Sequence, residues 1–226
     1  MRFVLASRNA HKLAEYRAIL APHEVVAMPS GIELPPEGVE SFEANARGKA
    51  EALARALASG ASGQSSGASG QAAPSRSAPD HSAAERPIPV VIADDSGIEV
   101  AALGGAPGVI SARYAGREGD DVGNNNRLLT ELRALPGEHD RAARVVCVIS
   151  FVVGGAADAR LVRGEWPGVI AAAPRGVGGF GYDPLFVPSG SALAVAEMTE
   201  TDKNAQSHRA RAARALLARL ADGPPP

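Results

Sequence analysis

The stretch Val90-Val91-Ile92-Ala93-Asp94-Asp95-Ser96-Gly97 joins an apolar run to a pair of carboxylates. Its first four residues form an unbroken apolar run, which predicts a core strand at 90–93 with Asp94 and Asp95 at its carboxyl end. Neighbouring side chains of an extended chain point to opposite sides, so the two carboxylates should have separate roles. One role is a metal site, since Mg²⁺ prefers carboxylate oxygens. The alternative is a polar turn.

Strand and helix signals alternate on both sides of this run. Apolar or alternating stretches predict strands at 3–6, 24–28, 144–153 and 158–165, the last two as a hairpin around Gly154-Gly155. Apolar residues at helical spacing predict helices at 10–20, 41–58, 126–135 and 207–220. Such interleaving is typical of the α/β class, and we predict a mixed central β-sheet with flanking helices.

The segment 59–89 differs in composition from the rest of the chain. It consists mainly of Ser, Gly, Ala, Gln and Pro, with almost no large apolar residues. Such a segment cannot bury enough apolar surface to offset the entropy lost on ordering. We therefore predict a single domain over 1–226 that carries a disordered insertion at 59–89.

Composition excludes several classes of partner. The 226 residues carry a formal net charge of -2, so no overall positive field attracts nucleic acid or an anionic membrane. No run approaches the ~20 apolar residues of a membrane span. The apolar start, Met1-Arg2-Phe3-Val4-Leu5-Ala6, is too short for a signal peptide, so we predict a cytoplasmic protein. Cys147 is the only cysteine, which excludes an internal disulfide.

Two predicted helices begin with residues suited to an anion. Ser7-Arg8-Asn9-Ala10-His11-Lys12 joins a strand to a helix, where free N–H groups and a lysine favour a phosphate. Ser7 and Asn9 alternatively serve only as helix caps. Lys203-Asn204-Ala205-Gln206-Ser207-His208-Arg209 opens another helix and places potential cations in its first turn, the unfavourable end for positive charge. That conflict points to a compensating anion or polar ligand.

A glycine-rich segment precedes two aromatic residues. Its glycines match the spacing G-x-G-x-x-G at 176–181, but a helix should follow the last glycine of a dinucleotide site. The residues that follow, Tyr182-Asp183-Pro184-Leu185-Phe186-Val187, predict a turn and a strand instead. Phe180 and Tyr182 flank a glycine and suit stacking on a planar base. Alternatively they are core aromatics beside a tight turn.

Together these segments resemble the inosine triphosphate pyrophosphatase family, also called dITP/XTP pyrophosphatases. The resemblance covers nearly the whole chain except 59–89, and several motifs in one order are far more specific than any one of them. The matching stretches are Ser7-Arg8-Asn9-Ala10-His11-Lys12, Ser41-Phe42-Glu43-Ala44-Asn45-Ala46 with Lys49, Asp94-Asp95-Ser96-Gly97-Ile98-Glu99-Val100, Ala102-Leu103-Gly104-Gly105-Ala106-Pro107-Gly108-Val109, Ser111-Ala112-Arg113-Tyr114-Ala115-Gly116, Gly179-Phe180-Gly181-Tyr182-Asp183-Pro184 and Ser207-His208-Arg209.

The resemblance implies two lobes around a central sheet with the active-site cleft between them, and a homodimer. It implies an Mg²⁺-dependent enzyme that directs water at the α-phosphorus of ITP, dITP or XTP and releases the monophosphate and pyrophosphate. Such an enzyme cleanses the nucleotide pool. Two alternatives stay open: a nucleotide pyrophosphatase of other base specificity, such as the pyrimidine-directed septum-inhibitor relatives, and a nucleotide-binding sensor without turnover.

Residue roles follow from the resemblance position by position. Asp95 matches the catalytic base and a metal ligand, and Glu37 matches the second metal-binding carboxylate. The segment Glu37-Gly38-Val39-Glu40-Ser41 departs from the family pattern, so Glu40 stays an alternative to Glu37. Substrate binding is assigned to Ser7, Arg8, Asn9, Ala10, His11, Lys12, Lys49, Ser96, Phe180, Gly181, Tyr182, Asp183, Lys203, His208 and Arg209. Donors from His208 or Arg209 toward a 6-keto oxygen would favour hypoxanthine and xanthine over adenine.

Overall fold

The computed structural model describes residues 1–62, 89–136, 140–154 and 158–222. Within these ranges, one sheet contains the strands β1 (Arg2–Leu5), β2 (Glu24–Ala27), β3 (Val90–Val100), β4 (Ala142–Val153), β5 (Arg160–Ile170) and β6 (Phe186–Pro188). The α-helices of the same ranges are α1 (Ala10–Ile19), α2 (Phe42–Ser62), α3 (Asp121–Ala134), α4 (Glu200–Gln206) and α5 (His208–Ala221).

The sheet is mixed, because parallel and antiparallel pairs share it. Its strand order is β2-β1-β3-β4-β5-β6. Strand β1 pairs in parallel with β2 and with β3, which requires crossovers, and α1 and α2 lie in those connections. Strands β3 to β6 pair antiparallel, and β4 with β5 forms the predicted hairpin. The predicted α/β class, with a mixed central sheet and flanking helices, is confirmed. The two-lobe arrangement stays a prediction.

The helices cover both faces of the sheet with apolar side chains. One cluster joins α1 and α5 to the sheet through Tyr16 and Leu216. A second joins α2 to the opposite face through Leu53, and a third surrounds Leu128 of α3 and Trp166 of β5. Apolar burial, at about 25 cal/mol per Å², is the main force that holds these layers together. Among the described residues, no helix is both long and apolar enough to cross a bilayer.

Strand β3 is longer than the sequence predicts. The prediction ended it at 93, but it continues to Val100 and pairs with β4 along its length. Asp94 and Asp95 therefore lie inside the strand, not at its carboxyl end, and they form no polar turn. The backbone ladder to β4 overrides the turn preference of Asp, Ser and Gly, because β propensity depends on tertiary context.

Two helix boundaries also differ from the prediction. Helix α3 begins at Asp121 instead of 126, because Asp120 caps it by accepting a hydrogen bond from the N–H of Gly123. Helix α2 continues to Ser62, since its alanine-rich sequence has high helix propensity. It thus includes the first residues of the segment predicted as a disordered insertion. The remainder of that prediction, at 63–88, lies outside the described residues.

Two glycines of the sheet allow neighbouring segments to approach its strands closely. A Cβ on Gly97 in β3 would lie 2.4 Å from the carbonyl oxygen of Gly108 and 2.5 Å from Oγ of Ser111. A Cβ on Gly164 in β5 would lie 2.3 Å from the carbonyl oxygen of His208. Such separations lie far inside van der Waals contact. Glycine is therefore required at both positions, to seat the 3₁₀ helix that contains Ser111 and the first turn of α5.

Candidate active site

A cavity of about 470 Å³ lies beside the middle of β3, a size that suits a small-molecule ligand. Its walls come from the loop between β1 and α1, the segment before α2, the start of α3, the turn before β6 and the first turn of α5. Predicted site residues that line it are Ser7, Arg8, Asn9, Lys12, Glu37, Lys49, Asp95, Ser96, Phe180, Gly181, Tyr182, Asp183, His208 and Arg209. Ala10, His11, Lys203 and Glu40 are not part of its lining. The tertiary structure thus brings the separate motifs together.

The loop between β1 and α1 caps the helix with its own side chains. Asn9 Oδ1 accepts hydrogen bonds from the backbone N–H groups of His11 (2.9 Å) and Lys12 (3.2 Å). Ser7 Oγ accepts a hydrogen bond from the N–H of Asn9 at 3.2 Å. Asn9 is therefore the N-cap of α1. Both Ser7 and Asn9 nevertheless line the cavity, so capping leaves them available to a ligand.

Three predicted substrate-binding residues in or near this loop contact other parts of the protein or offer only their backbone. Arg8 donates from Nη2 to the carbonyl oxygen of Ile32 at 2.8 Å. His11 stacks on Phe180, with 5.3 Å between the ring centroids. Ala10 begins α1, so only its backbone N–H is suited to an anion. Contact of these three residues with a substrate stays a prediction.

Asp94 compensates two cations of the cavity wall. Its Oδ1 lies 3.0 Å from Lys12 Nζ, and its Oδ2 lies 3.4 Å from Arg209 Nε. Burial alone would raise the pKa of Asp94, but the charges of Lys12 and Arg209 together lower it far below its usual value. Asp94 is therefore ionised, and each of its carboxylate oxygens faces a cation of the protein.

Asp95 points to the other side of β3, as predicted. Its Oδ2 accepts a hydrogen bond from Asn45 Nδ2 at 2.8 Å, and its Oδ1 lies 4.0 Å from Lys49 Nζ. Lys49 also donates to Glu37 Oε1 at 2.6 Å, so the two carboxylates share one ammonium group. Burial raises the pKa of Asp95 to about 6, because Lys49 lowers it less and Glu37 raises it further.

The donor set of Glu37 and Asp95 suits a hard divalent cation. The raised pKa of Asp95 means that its negative charge is under-compensated, which a cation nearby would correct. The described part of the chain contains no group of three or more His, Cys, Asp or Glu side chains that could hold a metal ion. Mg²⁺ needs none, since one or two carboxylates suffice when phosphate oxygens and water complete its shell. Glu40 is exposed and outside the cavity lining, so the geometry favours Glu37.

The Phe180 ring lies among three polar side chains. His11 stacks on it, while Lys203 Nζ and Arg209 Cζ lie 4.7 Å and 5.3 Å from its centroid. Asp183 Oδ2 accepts hydrogen bonds from the N–H of Phe180 (3.0 Å) and from Lys203 Nζ (2.7 Å). The turn is therefore fixed by the side chains that surround the ring, and the ring is held at the cavity wall.

Helix α3 and the 3₁₀ helix hold the rest of this turn. Gly181 donates its N–H to Asp121 Oδ2 at 2.7 Å, and its carbonyl oxygen accepts from Asn125 Nδ2 at 2.9 Å. The Tyr182 hydroxyl donates to the carbonyl oxygen of Ser111 at 2.9 Å, and its ring packs against the third apolar cluster. Tyr182 thus has the core role weighed above and lines the cavity as well.

The first turn of α5 carries one neutral and one charged side chain. His208 is 5% exposed, and neither of its ring nitrogens has a hydrogen-bond partner in the described ranges. Burial lowers the pKa of His208 well below its usual value, and Arg209 and Lys203 lower it further. Arg209 donates to Glu15 Oε2 at 2.9 Å and to Ser96 Oγ at 2.8 Å. The charge conflict that predicted a ligand here is therefore compensated within the protein.

Several residues that position the site were missed by sequence reasoning. They are Glu15, Asn45, Ser111, Asp121 and Asn125. Asn45 and Ser111 occur in the motifs that carry the family resemblance, which was a usable signal. Glu15 follows Lys12 by one helical turn and so shares its face, which was a weaker signal. Asp121 had none, because its partner Gly181 lies 60 positions away.

The fold and the site define an α/β enzyme with a carboxylate and lysine centre. Residues 3–219 match the Ham1 family, and the chain belongs to this family. A relative from Nocardia farcinica, named dITP/XTP pyrophosphatase, is 44% identical over 97% of this chain and 95% of its own. A relative of the same name from Streptomyces coelicolor is 40% identical, over 96% of this chain and 95% of its own.

Solved structures agree with this assignment. A HAM1 protein from Coxiella burnetii superposes with a TM-score of 0.76 at 31% identity, covering 99% of this chain and 100% of its own. A nucleoside-triphosphatase / dITP/XTP pyrophosphatase from Mycobacterium abscessus gives a TM-score of 0.61 at 38% identity, with 96% and 99% coverage. These matches confirm the predicted family and fold class, and the names confirm the predicted enzyme class, nucleoside triphosphate pyrophosphatase.

Proposed function

We propose that this protein hydrolyses the deaminated purine nucleotides dITP, XTP and ITP to the monophosphate and pyrophosphate, with Mg²⁺ as cofactor. One observation carries the proposal. In a single cavity, the buried Asp95 faces Lys49, and Phe180 shares the lining with His208, whose ring nitrogens have no hydrogen-bond partner among the described residues. The name of the relatives, dITP/XTP pyrophosphatase, supports dITP and XTP as substrates. The activity would cleanse the nucleotide pool.

The triphosphate would bind where Lys12 and Lys49 line the cavity. Their ammonium groups would stabilise the negative charge that develops on the departing pyrophosphate. The amino end of α1 adds the positive end of its dipole at the same wall. The hydroxyl groups of Ser7 and Ser96 also line the cavity and would donate to phosphate oxygens.

Asp95 would act as the general base toward the attacking water. Its buried carboxylate lines the cavity beside Lys49, so it would orient the water and accept its proton. The hydrogen bond from Asn45 at 2.8 Å fixes its orientation. The water oxygen would bond to the α-phosphorus, its proton would pass to Asp95, and the bond to the bridging oxygen would break, releasing pyrophosphate.

Glu37 and Asp95 would hold the Mg²⁺ ion. When bound, the ion would neutralise phosphate oxygens and polarise the phosphorus. Glu37 is oriented for this role by Lys49 at 2.6 Å and by Arg113 Nη1 at 3.7 Å. Lys49, with a smaller contribution from Lys12, also holds the pKa of Glu37 below its usual value, although burial alone would raise it.

Base selection would rest on His208 and Arg209 beside Phe180. A neutral imidazole offers one donor and one acceptor, and no described residue uses either of them in His208. Arg209 donates one hydrogen from each terminal nitrogen, to Glu15 and Ser96, so each nitrogen retains a second hydrogen. A 6-keto oxygen accepts such hydrogens. Adenine presents an amino group there and would leave buried donors unpaired, at about 1–3 kcal/mol each.

The decisive experiment is pyrophosphate release from ITP, XTP, dITP, ATP and GTP with Mg²⁺, for the wild type and Asp95→Asn. We expect a strong preference for the inosine and xanthosine substrates, and loss of turnover in the variant. Equal cleavage of all five would retain the chemistry and overturn the base selection. No release from any of them would leave a nucleotide-binding sensor and overturn the proposal.

We also propose that the protein forms a homodimer. The support is the family resemblance together with the family membership. Light scattering of the purified protein tests it, and a monomer at all concentrations would contradict it.

A further inference from the structure

Charged side chains of alternating sign link α1 to the turn that carries Phe180. The successive pairs are Lys12 with Asp94 (3.0 Å), Asp94 with Arg209 (3.4 Å), Arg209 with Glu15 (2.9 Å), Glu15 with Lys203 (2.8 Å) and Lys203 with Asp183 (2.7 Å). None of these side chains is more than 16% exposed. Cations and carboxylates are equal in number, so the buried network is neutral as a whole.

Glu15 lies at the centre of this network. Its Oε1 contacts Lys203 and its Oε2 contacts Arg209, the two cations nearest the Phe180 ring. Burial alone would raise the pKa of Glu15, but the two cations lower it below its usual value, so the side chain is charged. Glu15 is not part of the cavity lining, so it acts on a ligand only through other residues.

We propose that Glu15 is a positioning residue for base recognition, which orients the Arg209 guanidinium and the Lys203 ammonium around the base site. The inference rests on the proposed function. Two like charges beside one ring repel each other, and a carboxylate that contacts both holds them at fixed positions. One terminal nitrogen of Arg209 is bound by Glu15, which directs its second hydrogen toward the ligand.

The position of Glu15 on α1 adds a link to the phosphate end. Glu15 follows Lys12 by one helical turn, so both side chains extend from the same helix face. A shift of α1 therefore moves the lysine at the phosphate end and the carboxylate behind the base site together. Glu15 thus couples the orientation of the base-binding cations to that of the phosphate-binding loop.

Glu15→Gln and Glu15→Asp test this role, with Glu165→Gln as the matched control. Glutamine keeps the size but can accept from only one cation, because its amide nitrogen would face the other. Aspartate keeps the charge on a shorter side chain. Glu165 also bridges two cations, Arg144 and Arg163, but these three side chains are 35–50% exposed and none of them lines the cavity.

Three quantities should be measured for each variant: the dissociation constant of inosine monophosphate by calorimetry, the steady-state constants for ITP and ATP, and the melting temperature. For Glu15→Gln we expect the dissociation constant and the KM for ITP to rise about tenfold, with kcat within about threefold of wild type. The preference for ITP over ATP in kcat/KM should fall about fivefold or more. Glu15→Asp should recover part of each loss, and Glu165→Gln should match the wild type.

The outcomes separate this inference from the proposed function. A melting temperature that falls in Glu15→Gln, with unchanged monophosphate affinity and unchanged substrate preference, would reduce Glu15 to a structural residue and overturn the inference. A wild type that binds inosine monophosphate but releases no pyrophosphate would overturn the catalytic proposal alone, and weakened binding in Glu15→Gln would still support the positioning role. A wild type that neither binds the monophosphate nor releases pyrophosphate would overturn both.

Discussion

Asp94 and Asp95 are neighbours in β3, and the pKa values of their carboxyl groups shift in opposite directions. Asp94 contacts Lys12 at 3.0 Å and Arg209 at 3.4 Å, and its pKa lies far below the usual value despite its burial. Asp95 has its nearest cation, Lys49, at 4.0 Å, and burial raises its pKa to about 6. One step along a strand changes the face of the sheet and with it the electrostatic environment.

The first prediction concerns the contribution of each of these two carboxylates to the free energy of unfolding. Asp94→Asn removes the shared partner of two buried cations and should lower the free energy of unfolding by about 3–5 kcal/mol. Asp95→Asn replaces a carboxylate whose charge is disfavoured by burial, so its effect should stay within about 1 kcal/mol. Urea denaturation at pH 7.5 provides the comparison. Equal losses of unfolding free energy in the two variants would contradict the opposite pKa shifts of Asp94 and Asp95.

The second prediction concerns the close approaches of Gly97 and Gly164. Alanine at either position would place a Cβ within 2.4 Å of a backbone oxygen, so each variant should lose about 1–3 kcal/mol of stability. Gly164→Ala should also weaken nucleotide binding, because it displaces the turn that carries His208 and Arg209. Gly60→Ala, in α2, meets no atom within 4 Å and should stabilise the protein by up to about 1 kcal/mol. Thermal unfolding of all three variants measures these changes.

The third prediction concerns the pH dependence of stability through His208. Its pKa in the native state lies well below the value of about 6.5 in the unfolded chain, so the unfolded state binds more protons below that pH. The contribution of His208 to the free energy of unfolding must therefore fall as the pH decreases below about 6.5, by up to about 1.4 kcal/mol per pH unit. Above that pH the imidazole is neutral in both states and contributes no slope.

His208→Gln isolates this contribution. The native pKa of Asp95 is raised to about 6, so Asp95 contributes in the opposite sense between that pH and its unfolded value. This contribution is common to both proteins and cancels in their difference. Between pH 7.5 and 5, the wild type should lose about 2 kcal/mol more than His208→Gln. Parallel urea stability curves for the two proteins would mean that His208 titrates normally.

The fourth prediction distinguishes the two candidate metal carboxylates. Glu37→Gln removes the proposed ligand inside the cavity and should raise the Mg²⁺ concentration for half-maximal pyrophosphate release about tenfold or more. Glu40→Gln changes an exposed residue outside the cavity and should leave that concentration unchanged. Chelation by EDTA should abolish release, and added Mg²⁺ should restore it. The reverse order of the two variants would assign the ligand to Glu40.

Local patterns in the sequence predicted most of the secondary structure. The apolar run Val90-Val91-Ile92 and the capping residue Asn9 marked elements that the structure contains, because these signals act over a few residues. The continuation of β3 beyond 93 was not predictable in this way. It depends on pairing with β4, whose residues lie far along the chain.

Only part of the candidate site could be predicted, because some of its residues act through contacts between segments that are far apart in the chain. Motif order identified Asp95, Lys49 and Phe180, and the structure places all of them on one cavity. Glu15 and Asp121 carry no motif, and their roles exist only through contacts with Arg209 and Gly181. A residue whose function lies in orienting another cannot be recognised without the position of its partner.

The sequence by itself determined the α/β class, the family and the residue types available for chemistry, because periodicity and motif order are properties of the chain. Only the tertiary structure shows which charged side chains contact each other. It placed Asp94 beside two cations and Asp95 farther from one, buried His208 with no hydrogen-bond partner among the described residues, and enclosed Glu15 between Lys203 and Arg209. Charge interactions depend on distance and burial, and both arise only when remote segments pack together.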